Sequence, residues 1–235
     1  MIGRRLFAAA AIASTAAPAL ADVPFATDDP FLIEPGHYEI ALGLDRLALP
    51  GRDATLASVS YDFGVSDSAQ VGVAALSMHA DRFTLGELGV NAKFALIPVR
   101  EGRFGLAFRP ALAMPLDHSI RNRAGAVMPF YAGAAKGQWS LYGGAGYALN
   151  SHRDGGSYPF AGIVASRALG ERWTVGTELD GRAASPHSPG FLELGAGASV
   201  ALRRNLTLAG AFYRTLANRG ANGDGRAFLT LRYAR

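Results

Sequence analysis

The sequence predicts an all-β fold, a closed antiparallel transmembrane β-barrel of about twelve strands with periplasmic termini, on three observations. Apolar and polar residues alternate in steps of two along most of the chain. The breaks between alternating runs are by turns tight and long. An export-type leader precedes the first run. Composition agrees: of 235 residues 49% are hydrophobic and 18% charged, against about 25% charged in a soluble domain. The chain has no Cys, which removes disulfides, thiolate metal sites and Cys nucleophiles. A net charge of +4 without a Lys/Arg-rich run argues against a nucleic-acid partner.

The leader comes first. Met1-Ile2-Gly3-Arg4-Arg5 is followed by an apolar stretch and by Ala19-Leu20-Ala21, the layout of a cleavable signal peptide. Residues 1–21 are assigned to it, residues 22–35 to a periplasmic N-terminal segment and residues 36–235 to the barrel. The apolar core is too short for a membrane helix and Pro18 interrupts it.

The strands follow. Alternate strand residues face opposite sides of a sheet. In residues 190–202, Leu192, Leu194, Ala196, Ala198, Val200 and Leu202 share one face, and Phe191, Glu193, Gly195, Gly197 and Ser199 the other. In residues 56–65, Ala57, Val59, Tyr61, Phe63 and Val65 oppose Ser58, Ser60 and Asp62. In residues 87–96, Leu88, Val90, Phe94 and Leu96 oppose Glu87, Asn91 and Lys93, and in residues 173–182 Trp173, Val175 and Leu179 oppose Glu178, Asp180 and Arg182. Strands are expected to begin near Gly36, Ala54, Ala69, Thr84, Arg103, Ala124, Gln138, Tyr158, Arg172, Pro189, Leu206 and Gly225. Pro129 and Pro159 weaken the sixth and eighth, because proline cannot donate to a ladder.

Tight connections fall at residues 66–68, 98–102, 136–137, 170–171 and 203–205. Longer ones, rich in Gly, Asn, Asp, His and Arg, fall at 50–53, 79–82, 117–123, 150–157, 184–188 and 217–224. Short periplasmic turns and longer outer loops are the pattern of outer-membrane barrels. Phe104, Trp139 and Trp173 each follow a tight turn, while Tyr147, Phe191 and Phe212 lie toward the long-loop end; two aromatic levels are what interfacial girdles require. A secreted β-sandwich or lipocalin-like barrel shares the periodicity, but the polar faces here are too rich in Gly, Ala and Ser to form a water-facing surface.

The stretch Thr27-Asp28-Asp29-Pro30-Phe31, followed by Glu34-Pro35-Gly36-His37-Tyr38-Glu39-Ile40, is distinctive. So are Tyr61-Asp62-Phe63-Gly64-Val65-Ser66-Asp67 and Gly86-Glu87-Leu88-Gly89-Val90-Asn91-Ala92-Lys93-Phe94. Together they resemble the outer-membrane transporter family named for the meta-pathway of phenol degradation, with Glu87 where that family often has Asp. The resemblance implies a barrel of about twelve strands and a transport role, and brings no catalytic residues.

On this register Glu39, Asp45, Asp62, Glu87, Lys93, Arg109, Glu178, Asp180, Arg182, Glu193 and Arg232 line the lumen, seven acids and four bases. A barrel of this size lies between those filled by side chains and those holding a water channel, so a narrow or plugged lumen with paired charges is expected. The segment 22–35, with Asp28, Asp29 and three prolines, is expected to fold into the periplasmic mouth.

Arg52, Arg82, Arg121, Arg123, Arg153 and Arg219 dot the long loops and suit contact with lipopolysaccharide phosphates. His79, His118, His152 and His187 also lie in or beside long loops. The neighbours His118-Ser119 and His187-Ser188 point to opposite faces if extended, which is poor geometry for a shared proton. No metal, cofactor or catalytic group is expected. The expected function is a narrow channel or transporter for small, apolar or aromatic, molecules in outer-membrane lipid; the alternatives are a structural or surface-interaction barrel and, third, a lipid hydrolase. Oligomeric state is open.

Overall fold

The computed structural model describes residues 25–49, 52–79, 83–116, 125–150, 156–185, 190–217 and 225–235. The assigned signal peptide lies outside them, as does most of each long loop. The described chain is all strand, turn and irregular segment. The strands are β1 (Tyr38–Leu49), β2 (Arg52–Ser66), β3 (Ala69–His79), β4 (Phe83–Ile97), β5 (Gly105–Phe108), β6 (Ala111–Pro115), β7 (Gly125–Lys136), β8 (Trp139–Asn150), β9 (Tyr158–Leu169), β10 (Trp173–Arg182), β11 (Phe191–Arg203), β12 (Leu206–Ala217) and β13 (Gly225–Ala234).

Consecutive strands pair antiparallel, except that β5 and β6 do not pair with each other, and β1 pairs with β13 from Glu39↔Ala234 to Leu47↔Arg226. Tyr38 and Arg235 exchange backbone bonds of 2.6 and 2.9 Å at the seam. The sheet is therefore a closed barrel. Closure is what lipid demands, because an open edge leaves backbone groups unpaired in hydrocarbon.

Thirteen segments make twelve strands. β5 and β6 both pair with β4 and with β7, and the register carries across the gap between them, from Phe94↔Phe108 to Asn91↔Ala111 on one side and from Phe108↔Phe130 to Ala111↔Val127 on the other. The interruption is Arg109-Pro110. Pro110 and Pro129 each lack an N–H, yet their carbonyls still accept from Ala92 and Arg109 at 3.1 Å. Pro129 thus sits inside β7 opposite Gly146, and Pro159 is the second residue of β9. Both strands form despite their prolines because two flanking neighbours hold the remaining ladder.

The periplasmic turns are short. Gly137 and Gly170 take φ of 58° and 71° there, left-handed values that let two or three residues reverse a strand. The outer face is apolar: Leu42, Leu44, Val71, Val73, Leu141, Ile163, Leu194 and Leu229 are all exposed on it. Phe104, Trp139 and Trp173 stand on this face beside the periplasmic turns, and Tyr147 and Phe212 nearer the other rim. Phe191 does not join that outer girdle. Its parity matches buried Glu193, and its ring lines a lumenal cavity.

Candidate functional site: the barrel lumen

The inner face carries the polar members of each alternating run. Small residues leave room between them, and residues 25–35 occupy part of that room. The sequence reading put this segment at the periplasmic mouth; the structure carries it up to mid-barrel. A chain inside the lumen has no ladder to satisfy its amides, so side chains must do so. The Ala26 N–H donates to Glu178 Oε2 at 2.9 Å and the Thr27 N–H to Glu178 Oε1 at 2.6 Å. Tyr213 donates its hydroxyl to the same carboxylate and accepts from Ala26 at 3.0 Å. The Ile33 N–H donates to Gln70 Oε1 at 2.9 Å, and Asp29 folds back on the Phe31 N–H at 2.9 Å. Glu178 and Tyr213 are both about 1% exposed.

Glycines make the seat. A Cβ on Gly162 would collide with Thr27 Oγ1, and one on Gly64 with the Ile33 and Glu34 carbonyls. The absence of side chains on β9 and β2 is what lets the segment lie against the wall.

Charges gather at two levels. Toward the periplasmic end, Asp28 bridges Lys93 at 3.0 Å and Arg109 at 2.7 Å. Lys93 also reaches Asp29 at 3.5 Å and donates to the Phe31 carbonyl at 3.1 Å. Arg109 reaches Asp62 at 3.5 Å and donates to Asn91 at 3.2 Å. Toward the outer end, Arg226 faces Asp45 at 3.6 Å, Asp180 at 3.7 Å and Glu193 at 3.0 Å. Its guanidinium lies 4.2 Å from the Tyr213 ring centroid. Arg232 pairs with Glu39 at 3.1 Å. Arg182 lies over the rings of Tyr158 and Phe191 at 4.8 and 5.2 Å. Glu87 is exposed, opposite Pro115 and Leu76, away from both clusters.

Sequence reasoning missed Arg226, Asp28 and Asp29 as lumenal charges. Arg226 shares parity with Arg232 along β13, so the signal was there, hidden by its place at the start of the strand and by the apolar Phe228 between. The six loop arginines give no such geometry: Arg82, Arg121, Arg123, Arg153 and Arg219 lie outside the described residues, as does the side chain of Arg52. His118, His152 and His187, and the side chain of His79, also lie outside them.

Two cavities remain beside the inserted segment. The larger, about 310 Å³, is lined by Glu39, Ser58, Ser60, Asp62, Arg109, Thr230 and Arg232 among others. The smaller, about 230 Å³, is lined by Tyr131, Tyr158, Phe160, Phe191, Asp180 and Arg182 among others. Ala26 and Thr27 border both.

No known family's sequence profile matches the chain, and no curated protein matches it. Solved structures do match in fold. An outer-membrane channel from Pseudomonas putida F1 superposes with a TM-score of 0.66 at 12% identity, over 88% of this chain and 98% of that one. The KdgM porin gives 0.60 at 9% identity, over 83% and 98%, and the NanC porin 0.60 at 8%, over 84% and 98%. The chain shares the closed β-barrel fold of these outer-membrane proteins, and its exposed apolar wall is the surface that such a barrel presents to the lipid of a bacterial outer membrane. The comparisons reach this architecture and not the phenol-pathway family, whose motifs stand as a sequence resemblance.

Proposed function

We propose that this barrel is a narrow passive channel for small solutes, divided lengthwise by the inserted segment into a polar and an aromatic compartment. The observation that carries this reading is the pair of cavities flanking Ala26 and Thr27. Both are smaller than, or at the lower bound of, the roughly 300–1,000 Å³ typical of pockets for drug-sized ligands, which suits solutes of one ring or less. Inner-face carboxylates outnumber cations, which favours cations in the polar compartment. The rings of Tyr131, Tyr158, Phe160 and Phe191 suit an apolar or aromatic solute in the other, as does the resemblance to the phenol-pathway family. The role is non-enzymatic in this reading.

Planar-bilayer recording tests it. The reconstituted protein should give small, cation-preferring currents that phenol reduces, and Tyr158→Ala with Phe160→Ala should abolish that reduction. Silence from well-folded protein would instead favour a purely structural barrel, and currents indifferent to phenol would remove the aromatic compartment. The outer-loop arginines are proposed to bind lipopolysaccharide phosphates. Replacing Arg52, Arg82, Arg121, Arg123, Arg153 and Arg219 by Gln together should then shrink the rise in melting temperature that added lipopolysaccharide produces; an unchanged rise would end that assignment.

A further inference from the structure

The outer face near the periplasmic turns holds a feature that the lumen does not explain. Lys136, Trp139 and Arg167 are direct register partners across β7, β8 and β9. All three are exposed, and their parity puts them on the lipid-facing side with Met128, Phe130, Leu141 and Ile163. The Arg167 guanidinium lies 5.2 Å from the Trp139 ring centroid, within range of a cation–π contact. Among the described residues neither Lys136 nor Arg167 forms an ion pair with a carboxylate. A cation placed on a lipid-facing surface next to a girdle tryptophan sits at headgroup depth. Lipid on the periplasmic side of an outer membrane is phospholipid. Arg167 supplies a planar fork matched to phosphate and Lys136 a point charge on a long stem.

From this row we infer that the periplasmic outer face carries a binding site for one anionic phospholipid. Its phosphodiester is held between Lys136 and Arg167, and the start of its acyl chains lies over Trp139. The turns on either side add Arg103 and Arg172, with Glu101 and Glu171 lying in those turns. The site is separate from the lumen and does not depend on solute passage.

The chain has two Trp residues, so Trp173→Phe leaves Trp139 as its own reporter. This variant is reconstituted in phosphatidylcholine vesicles containing brominated phosphatidylglycerol or, in parallel, brominated phosphatidylcholine, with folding checked by heat-modifiable gel migration. Brominated phosphatidylglycerol should quench Trp139 with an apparent affinity several-fold higher, about fivefold per cation engaged. High salt should reduce the preference, and Lys136→Gln with Arg167→Gln should remove it. Equal quenching by the two lipids overturns the site, and so does a preference that survives both substitutions. The salt comparison needs neither charge substitution; a preference insensitive to salt overturns the site even where the doubly substituted chain fails to fold.

Discussion

The two charge clusters of the lumen are built differently. The outer one is wall against wall: Arg226 of β13 is shared by Asp45 of β1, Asp180 of β10 and Glu193 of β11. It is complete without the N-terminal segment. The periplasmic-side cluster is not. Its wall contributes two cations, buried Lys93 and half-buried Arg109, with Asp62 reached only at 3.5 Å. The short contacts come from Asp28 of the segment. Paired charge is tolerable in a tight lumen and unpaired charge is expensive. One cluster therefore ties strands to strands, while the other ties a plug to the wall.

Asp28→Asn with Asp29→Asn should break this contrast most strongly. It leaves Lys93 and Arg109 facing each other across a gap that the segment no longer neutralises. Removing one side of a buried pair costs about 3–5 kcal/mol. Urea unfolding in detergent should register most of that loss, and bilayer conductance should rise as the segment leaves its seat. Lost stability with unchanged conductance would mean that the remaining contacts, to Glu178, Tyr213, Gln70 and Lys93, suffice to hold the segment.

Arg226→Met acts on the other cluster. Three carboxylates, Glu193 among them with no exposed surface, lose their shared cation, at a cost of about 3 kcal/mol. The segment keeps Asp28, Glu178 and Gln70, so single-channel conductance should change little. Selectivity should move further toward cations, measured as a shift in reversal potential under a salt gradient. A large rise in conductance would show that the outer cluster also braces the segment.

How much of this was legible in the sequence follows the range of the information. Strand period is two, and a slip of one residue turns every side chain over; runs such as residues 190–202 therefore declare their own inner and outer faces. Glu39, Asp62, Lys93, Glu178 and Glu193 were placed in that way. The break at Arg109-Pro110 was not read, because proline predicts a disturbance and not whether neighbouring strands absorb it. The seat of the segment was not readable by periodicity at all. Ala26 and Glu178 are 152 positions apart, and nothing local encodes that contact. The glycines that admit the segment were visible, but glycine in a strand also marks bulges and close strand packing. Phe191 was counted as a girdle aromatic from its position along the strand, when parity alone already turned it inward.

The smallest expected effect sharpens the comparison furthest, because it moves the segment without touching a charge. Gly162→Ala places a Cβ against Thr27 Oγ1, with Asp180 Cβ also near at 3.3 Å. Overpacking of this kind costs about 1–3 kcal/mol, and the neighbour that can yield is the segment, not the wall. Gly210→Ala on β12 is the matched control, since a Cβ there meets only the Phe228 carbonyl at 3.4 Å and Leu229 Cδ1 at 3.6 Å. Gly162→Ala should raise conductance modestly and Gly210→Ala should not. Thr27→Ala should restore part of the loss in the Gly162→Ala background, a coupling that a double-mutant cycle measures directly. If the two substitutions simply add, Thr27 does not rest on β9, and the division of the lumen into two compartments fails with it.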